Sequence, residues 1–263
     1  MANPATKRHG TPNWADCATL DLSEAEAFYA ALFGWTSERA TASDGSVYSV
    51  QRLNDKRVAG IYALNDELRA MGVPPHWGTY IEVDDVAAVL KKVRDAGGTV
   101  IEDASFEPDV GTFAVIQDNV GAFLRLWHSA PAHGGEIFNV PGAMTWNELF
   151  TKEPEKAAIF YQKVFGLEPE PLETPTPYTV LRAAGREVAG ILTATPEMGD
   201  MPACWDVYFA TDDVEETLKL ALDAGGKVIR EPFDVAGGQA RMAVLQDPQG
   251  AVFEVIKMQP GSG

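Results

Sequence analysis

The sequence predicts an α+β protein made of two tandem copies of one domain, each copy holding two βαβββ units. Three observations carry this. Residue patterns recur at offsets of 128 to 132. Runs of helical and strand periodicity follow one another in the order strand, helix, three strands. Glycine, proline and aspartate punctuate the runs. The repeat can be read directly: Trp14 returns as Trp146, Phe28-Tyr29 as Phe160-Tyr161, Val58-Ala59-Gly60-Ile61 as Val188-Ala189-Gly190-Ile191, Trp77 as Trp205, Tyr80 as Tyr208, and Asp118 as Asp247. The copies are expected at 1–128 and 144–258, with a tail at 259–263. Between the copies lies a linker at 129–143, where Pro131, Gly134-Gly135 and Pro141-Gly142 break regular structure.

In chain order, a first strand around Trp14 leads into a helix. There Ser23 and Glu26 have the spacing of a capping box, Phe28, Tyr29, Leu32 and Phe33 form the apolar stripe, and Gly34 supplies the stop. Strands are expected at 47–53 and 58–64. Asp84 opens a second helix, whose stripe is Val86, Val89, Leu90 and Val93 and whose end is Gly97-Gly98. Strands at 112–117 and 122–127 complete the copy. In the second copy, helices are expected at 151–165 and 212–224, Asp212 and Glu215 repeating the capping spacing. Segments 40–46, 67–75 and 168–176 are expected to be loops that shape ligand access.

Composition excludes several partners. The 263 residues carry 21 Lys+Arg against 38 Asp+Glu, a formal net charge of −17. Such a surface repels nucleic acid and anionic membranes, because both need clustered positive charge. With no long apolar run and no secretory pattern in 1–12, the chain is expected to be soluble and cytoplasmic. Cys17 and Cys204 cannot build a disulfide framework and are expected to be reduced, buried thiols.

The helix ending Phe-Tyr-x-x-x-Phe-Gly, the Val-Asp-Asp-Val helix opening, the Ala-Gly-Gly turn and Gln-Asp-Pro-Gln-Gly-Ala-Val-Phe-Glu at 246–254 together resemble the vicinal oxygen chelate superfamily. That superfamily includes glyoxalase I, extradiol dioxygenases and bleomycin-resistance proteins. The chain is most similar to its tandem, actinobacterial glyoxalase-like or hydroxylase-like type, through Trp146-Asn147-Glu148-Leu149 in a first strand. The resemblance implies tandem glyoxalase-like domains, four βαβββ units forming two half-open barrels, with a ligand on each concave face. It also implies ligand positions for a divalent metal, and this sequence departs from nearly all of them. The first-strand histidine falls on Trp14 and Trp146, and the histidine of the second unit falls near Gly78 and Asp206. The last-strand glutamate falls on Arg125 and Glu254, and the remaining ligand strand holds Gly60 and Gly190. Glu254 alone matches. Indole cannot ligate, so no metal or other cofactor is expected, a divergent divalent site being the alternative.

Strand alternation assigns further side chains to the concave faces. Asp16 shares a face with Trp14, Glu148 with Trp146, Tyr80 and Glu82 with Gly78, Cys204 and Tyr208 with Asp206, and Trp127 with Arg125. Trp14, Trp77, Trp146 and Trp205 repeat between copies, which fits either a ligand wall or a self-filled barrel. The candidate ligand contacts are Trp14, Asp16, Tyr80, Arg125, Trp127, Trp146, Asp206 and Trp205. If units pair across copies, Trp14 and Asp16 face Asp206, Tyr208 and Glu254; if they pair within each copy, Glu148, Asp206, Tyr208 and Glu254 share one face. The residues therefore predict a protein that encloses an aromatic or partly cationic small molecule, metabolite or antibiotic. The alternative is a glyoxalase-like lyase or isomerase, or a hydroxylase-like enzyme, using Glu254, Glu148 and Tyr208 as proton carriers. Because tandem copies supply their own pairing, a monomer is expected.

Overall fold

The computed structural model describes residues 8–41, 45–131, 133–174, 176–235 and 238–258; the expected tail at 259–263 lies outside them. The first copy runs β1 (Thr11–Thr19), α1 (Leu22–Phe33), β2 (Thr36–Thr41), β3 (Val47–Leu53), β4 (Lys56–Ala63), a short α2 (Asp66–Ala70), β5 (His76–Glu82), α3 (Val86–Asp95), β6 (Thr99–Glu107), β7 (Gly111–Gln117) and β8 (Phe123–Ser129). The second runs β9 (Met144–Thr151), α4 (Pro154–Phe165), β10 (Glu168–Leu172), β11 (Tyr178–Ala183), β12 (Arg186–Thr193), β13 (Cys204–Ala210), α5 (Val214–Asp223), β14 (Lys227–Val235), β15 (Ala240–Gln246) and β16 (Val252–Met258). Each copy is one eight-stranded sheet, in the orders β2-β3-β4-β1-β5-β8-β7-β6 and β10-β11-β12-β9-β13-β16-β15-β14. The order ends at separate edges, so each sheet curls into a half-open barrel without closing. No helix among the described residues is long and apolar enough to cross a membrane.

This topology decides the pairing left open by the sequence. The two units of a copy meet through antiparallel β1–β5 and β9–β13, so each concave face is built within one copy. The copies meet through their convex faces. One core joins Phe28, Tyr29 and Leu32 of α1 to Val207, Phe209, Phe253 and Val255 of the other copy. Its counterpart joins Phe160, Tyr161 and Val164 of α4 to Ile81, Val83, Leu124 and Leu126. Buried hydrogen bonds cross the boundary reciprocally, Tyr29 donating to Asp247 at 3.2 Å and Tyr161 to Asp118 at 2.7 Å. Neither copy can leave without exposing half of both cores.

Several local expectations need correction. The first helix is capped by Asp21, whose carboxylate accepts the Ser23 and Glu24 amides at 2.9 and 3.0 Å. Glu26 turns away to Arg39 and Ser49. The caps of α3 and α5 are Asp85 and Asp213, one residue later than expected, each accepting the amide three positions on. Helix α4 begins only at Pro154, a residue suited to a first helical turn. Segment 168–172, expected as loop, is strand β10 despite Pro169 and Pro171. It lies at a sheet edge, where a missing amide donor is tolerated. Cys17 is buried as expected, whereas Cys204 is half-buried.

The candidate ligand contact Trp205 is also corrected. On β13 it alternates with Cys204, Asp206 and Tyr208 and so points to the convex side, where its indole N–H donates to Tyr161 at 2.9 Å. Trp77 does the same with Tyr29 at 2.8 Å. Because Tyr161 links Trp205 to Asp118 across the copies, Tyr161→Phe orphans a buried carboxylate oxygen and an indole. The expected cost is about 1–3 kcal/mol, read as a melting temperature lowered by several degrees with the far-ultraviolet spectrum unchanged.

Candidate functional site

On the first concave face, β1 presents Trp14 and Asp16, β3 Tyr48, β4 Tyr62, β5 Tyr80, and β8 Arg125 and Trp127. Glycines make the room. A Cβ at Gly60 would fall on the hydroxyl end of Tyr48, and one at Gly78 on the Arg125 guanidinium. The Trp14 indole donates to the Tyr48 hydroxyl at 2.7 Å, and Tyr80 donates to Asp16 Oδ2 at 2.6 Å. Arg125 Nη2 donates to Tyr62 at 2.7 Å, Nη1 lies 3.7 Å from Asp16 Oδ1, and the guanidinium carbon is 5.3 Å from the Tyr80 ring centroid. Trp127 closes one side, edge-on to Trp14 and Tyr80, its indole donating to the Val110 carbonyl at 3.2 Å. Burial raises the Tyr48 and Tyr80 phenols well above their ordinary value and Tyr62 to about 12, so all three remain neutral. One buried anion and one buried cation balance.

The second face reuses the frame with different charge. The Trp146 indole donates to Tyr178 at 2.8 Å, above Gly190, where a Cβ would fall on the hydroxyl end of Tyr178. Tyr208 donates to Glu148 at 2.8 Å. Where the first face has Gly78 and Arg125, this one has Asp206 and Glu254. Register puts Asp206 opposite Glu148 and Glu254 opposite Tyr208. The Cys204 thiol leans on Asp206 at 3.5 Å. Glu254 is 5% exposed and its Oε2 has no hydrogen-bond partner. Desolvation and the neighbouring Glu148 raise Asp206 to about 7. Burial, with Asp206 and Glu148 adding to it, pushes Glu254 well up, and burial raises Glu148 against the hydrogen bonds from Tyr178 and Tyr208. Among the described residues no cation acts on any of the three. Such a cluster holds a proton at neutral pH or accepts a positive charge from outside.

The structure thus gathers Trp14, Asp16, Tyr80, Arg125 and Trp127 on one face, and Trp146, Glu148, Asp206, Tyr208 and Glu254 on the other. Glu82, expected on the first face, instead accepts from Asn13 and Ser129 at 2.6 Å each, at the end of the barrel. Sequence reasoning missed Tyr48, Tyr62 and Tyr178. The repeat of Tyr48 as Tyr178, each twelve residues before the glycine that makes room for it, was the available signal for two of them. The donor set does not fit a chelated metal. Indoles stand at both first-strand positions, and no group of three or more His, Cys, Asp or Glu among the described residues is disposed to hold an ion.

A profile of the Glyoxalase/Bleomycin resistance protein/Dioxygenase superfamily matches residues 11–122 and again 144–255. The Mycobacterium tuberculosis protein named "Putative glyoxylase CFP32" is 43% identical over 99% of both chains. The Streptomyces peucetius "Anthracycline biosynthesis protein DnrV" is 32% identical over 96% of this chain and 94% of its own. Among solved structures, a Mn(II)-bound glyoxalase from Novosphingobium aromaticivorans superposes with a TM-score of 0.66 at 16% identity, over 96% of this chain and 83% of that one. A 2,2',3-trihydroxybiphenyl 1,2-dioxygenase from Sphingomonas wittichii does so at 0.64 and 13%, over 95% and 91%. At these identities the structural likeness speaks for the fold.

Proposed function

This chain belongs to the Glyoxalase/Bleomycin resistance protein/Dioxygenase superfamily, and we propose that within it the protein is a non-chelating receptor whose second concave face takes up an aromatic, positively charged small molecule. One observation carries the reading: three carboxylates, Glu148, Asp206 and Glu254, stand without a cation among Trp146, Tyr178 and Tyr208, and one oxygen of Glu254 is buried and unpartnered. Burying charge without a partner is costly, and a cationic ligand against aromatic rings relieves it. The similarity to a protein named for anthracycline biosynthesis is consistent with an aromatic ligand. The reciprocal cores support a monomer, to be checked by light scattering.

Titrating the planar cation proflavine, with anthracene-9-carboxylate as the anionic control, while following tryptophan fluorescence tests this. The cation is expected to bind and quench, Asp206→Asn/Glu254→Gln to weaken binding at least tenfold, and the anion to have no effect. Equal binding of both probes, or of neither, overturns the reading.

A second reading is favoured by a specific contact. Tyr208 donates to Glu148 at 2.8 Å beside Asp206, raised to about 7, an arrangement suited to passing a proton to and from a bound molecule. Under this reading Glu148, Glu254 and Tyr208 are the proton carriers. Glu148→Gln is expected to remove turnover of a bound compound while leaving its affinity within a few-fold; unchanged turnover refutes it.

A further inference from the structure

The first copy contains, within its own chain, the kind of cation that the second copy lacks. Register aligns the two faces strand by strand: Asp16 with Glu148, Tyr80 with Tyr208, Gly60 with Gly190, Tyr62 with Leu192, Gly78 with Asp206 and Arg125 with Glu254. In the first face a planar guanidinium enters from β8. It lies across the space that Gly78 leaves open, donates to Tyr62 at 2.7 Å, faces Asp16 at 3.7 Å and rests against the Tyr80 ring. In the second face the equivalent carboxylate and ring remain. Leu192 replaces a hydroxyl with apolar wall, and the strand that delivered the cation delivers Glu254 instead. Its Oε2 is the buried, unpartnered atom.

We infer that the second face recognises an aryl guanidinium or amidinium group, a ligand-borne counterpart of the Arg125 side chain, seated against Tyr208 and hydrogen-bonded by Glu148, Asp206 and Glu254. The inference rests on the cationic-ligand reading above and narrows it to one kind of head group. Three carboxylates stand on three adjacent strands, β9, β13 and β16, in register with one another across the Tyr208 position. A flat cation with several N–H groups in one plane can donate to more than one carboxylate at once, whereas a quaternary ammonium offers charge and no donor. Leu192 and Trp146 leave the aromatic body of the ligand an apolar bed.

Calorimetric titration with phenylguanidine, benzamide and benzyltrimethylammonium separates the possibilities. Phenylguanidine is expected to bind once per chain and at least tenfold tighter than benzyltrimethylammonium, with benzamide silent. Benzyltrimethylammonium binding as tightly as phenylguanidine overturns the head-group inference and leaves the cationic-ligand reading standing. Silence of both cations, together with silence of proflavine, overturns both. Silence of phenylguanidine while proflavine binds overturns this inference alone. Transplanting the first copy's pair, as Asp206→Gly/Glu254→Arg, is expected to abolish phenylguanidine binding. Retained binding, or a stoichiometry of two in the unaltered protein, refutes the placement. If the transplant does not fold, Asp206→Asn serves in its stead, with an expected loss of at least tenfold.

Discussion

At pH 8 the variant Asp206→Asn/Glu254→Gln is expected to melt several degrees above the unaltered protein, and at pH 3.5 the difference is expected to shrink to near zero. Both carboxyls are raised in the folded protein, Asp206 to about 7, so the folded state holds protons there more tightly than the unfolded chain. At low pH, below the unfolded values, both states are protonated and no penalty applies. As pH rises from about 4 through 7, the unfolded chain ionises freely while the folded one cannot, and stability falls. The groups that face the pair are Glu148, Cys204 and Tyr208, none of which supplies positive charge. With Asp206 half-buried and therefore partly screened, the penalty at pH 8 is on the order of 2 kcal/mol. Urea melts at the two pH values decide the matter: a double variant less stable than the parent at pH 8 would show that these carboxylates already have a compensating partner. Under the cationic-ligand proposal the same cluster ties binding to pH. A cation that binds the ionised form displaces a proton, so the heat of phenylguanidine binding near pH 7 is expected to vary with the ionisation enthalpy of the buffer.

Which parts of this were legible in the sequence follows from the range of the interactions involved. The repeat, the order of strand and helix within each unit and the glycine stops are local and periodic, and they located the elements. Helix caps failed by one or two residues because Asp85 and Asp213 follow another aspartate, and Asp21 sits two before a serine; which side chain reaches the free amides is settled by backbone geometry. Alternation placed Trp14, Glu148, Tyr80, Asp206 and Tyr208 on the concave faces and, applied strictly to β13, would have sent Trp205 to the other side. Pairing within copies could not be read, since both arrangements bury the same stripes. Tyr48 and Tyr178 lie on β3 and β11, two strands away from the central pair. They reach the faces only because Gly60 and Gly190 leave room for their hydroxyl ends. That is a relation between strands, which periodicity along one strand does not carry.

Replacing Arg125 by methionine is expected to destabilise the protein by about 3–5 kcal/mol, the cost of stranding one member of a buried ion pair. Asp16 is 1% exposed, and its Oδ1 has the guanidinium at 3.7 Å with no hydrogen-bond partner of its own. Tyr80 and Tyr48 reach only Oδ2, at 2.6 and 3.5 Å. Removing Arg125 therefore leaves the Asp16 carboxylate among aromatic rings with half its acceptor capacity unused. Adding Asp16→Asn is expected to recover most of the loss, because the amide keeps an acceptor for Tyr80 without the charge. The pair is then measured by the departure from additivity in a double-mutant cycle. A cost under about 1 kcal/mol for Arg125→Met would mean that water or the tyrosines carry the Asp16 charge. In that case the guanidinium would not be what the first face is built around, and its use as a template for the second face would fall with it. A large cost recovered by Asp16→Asn gives the opposite result: the first copy keeps its cation for stability, whereas the second has exchanged Gly78 and Arg125 for Asp206 and Glu254, with no hydrogen-bond partner on Glu254 Oε2.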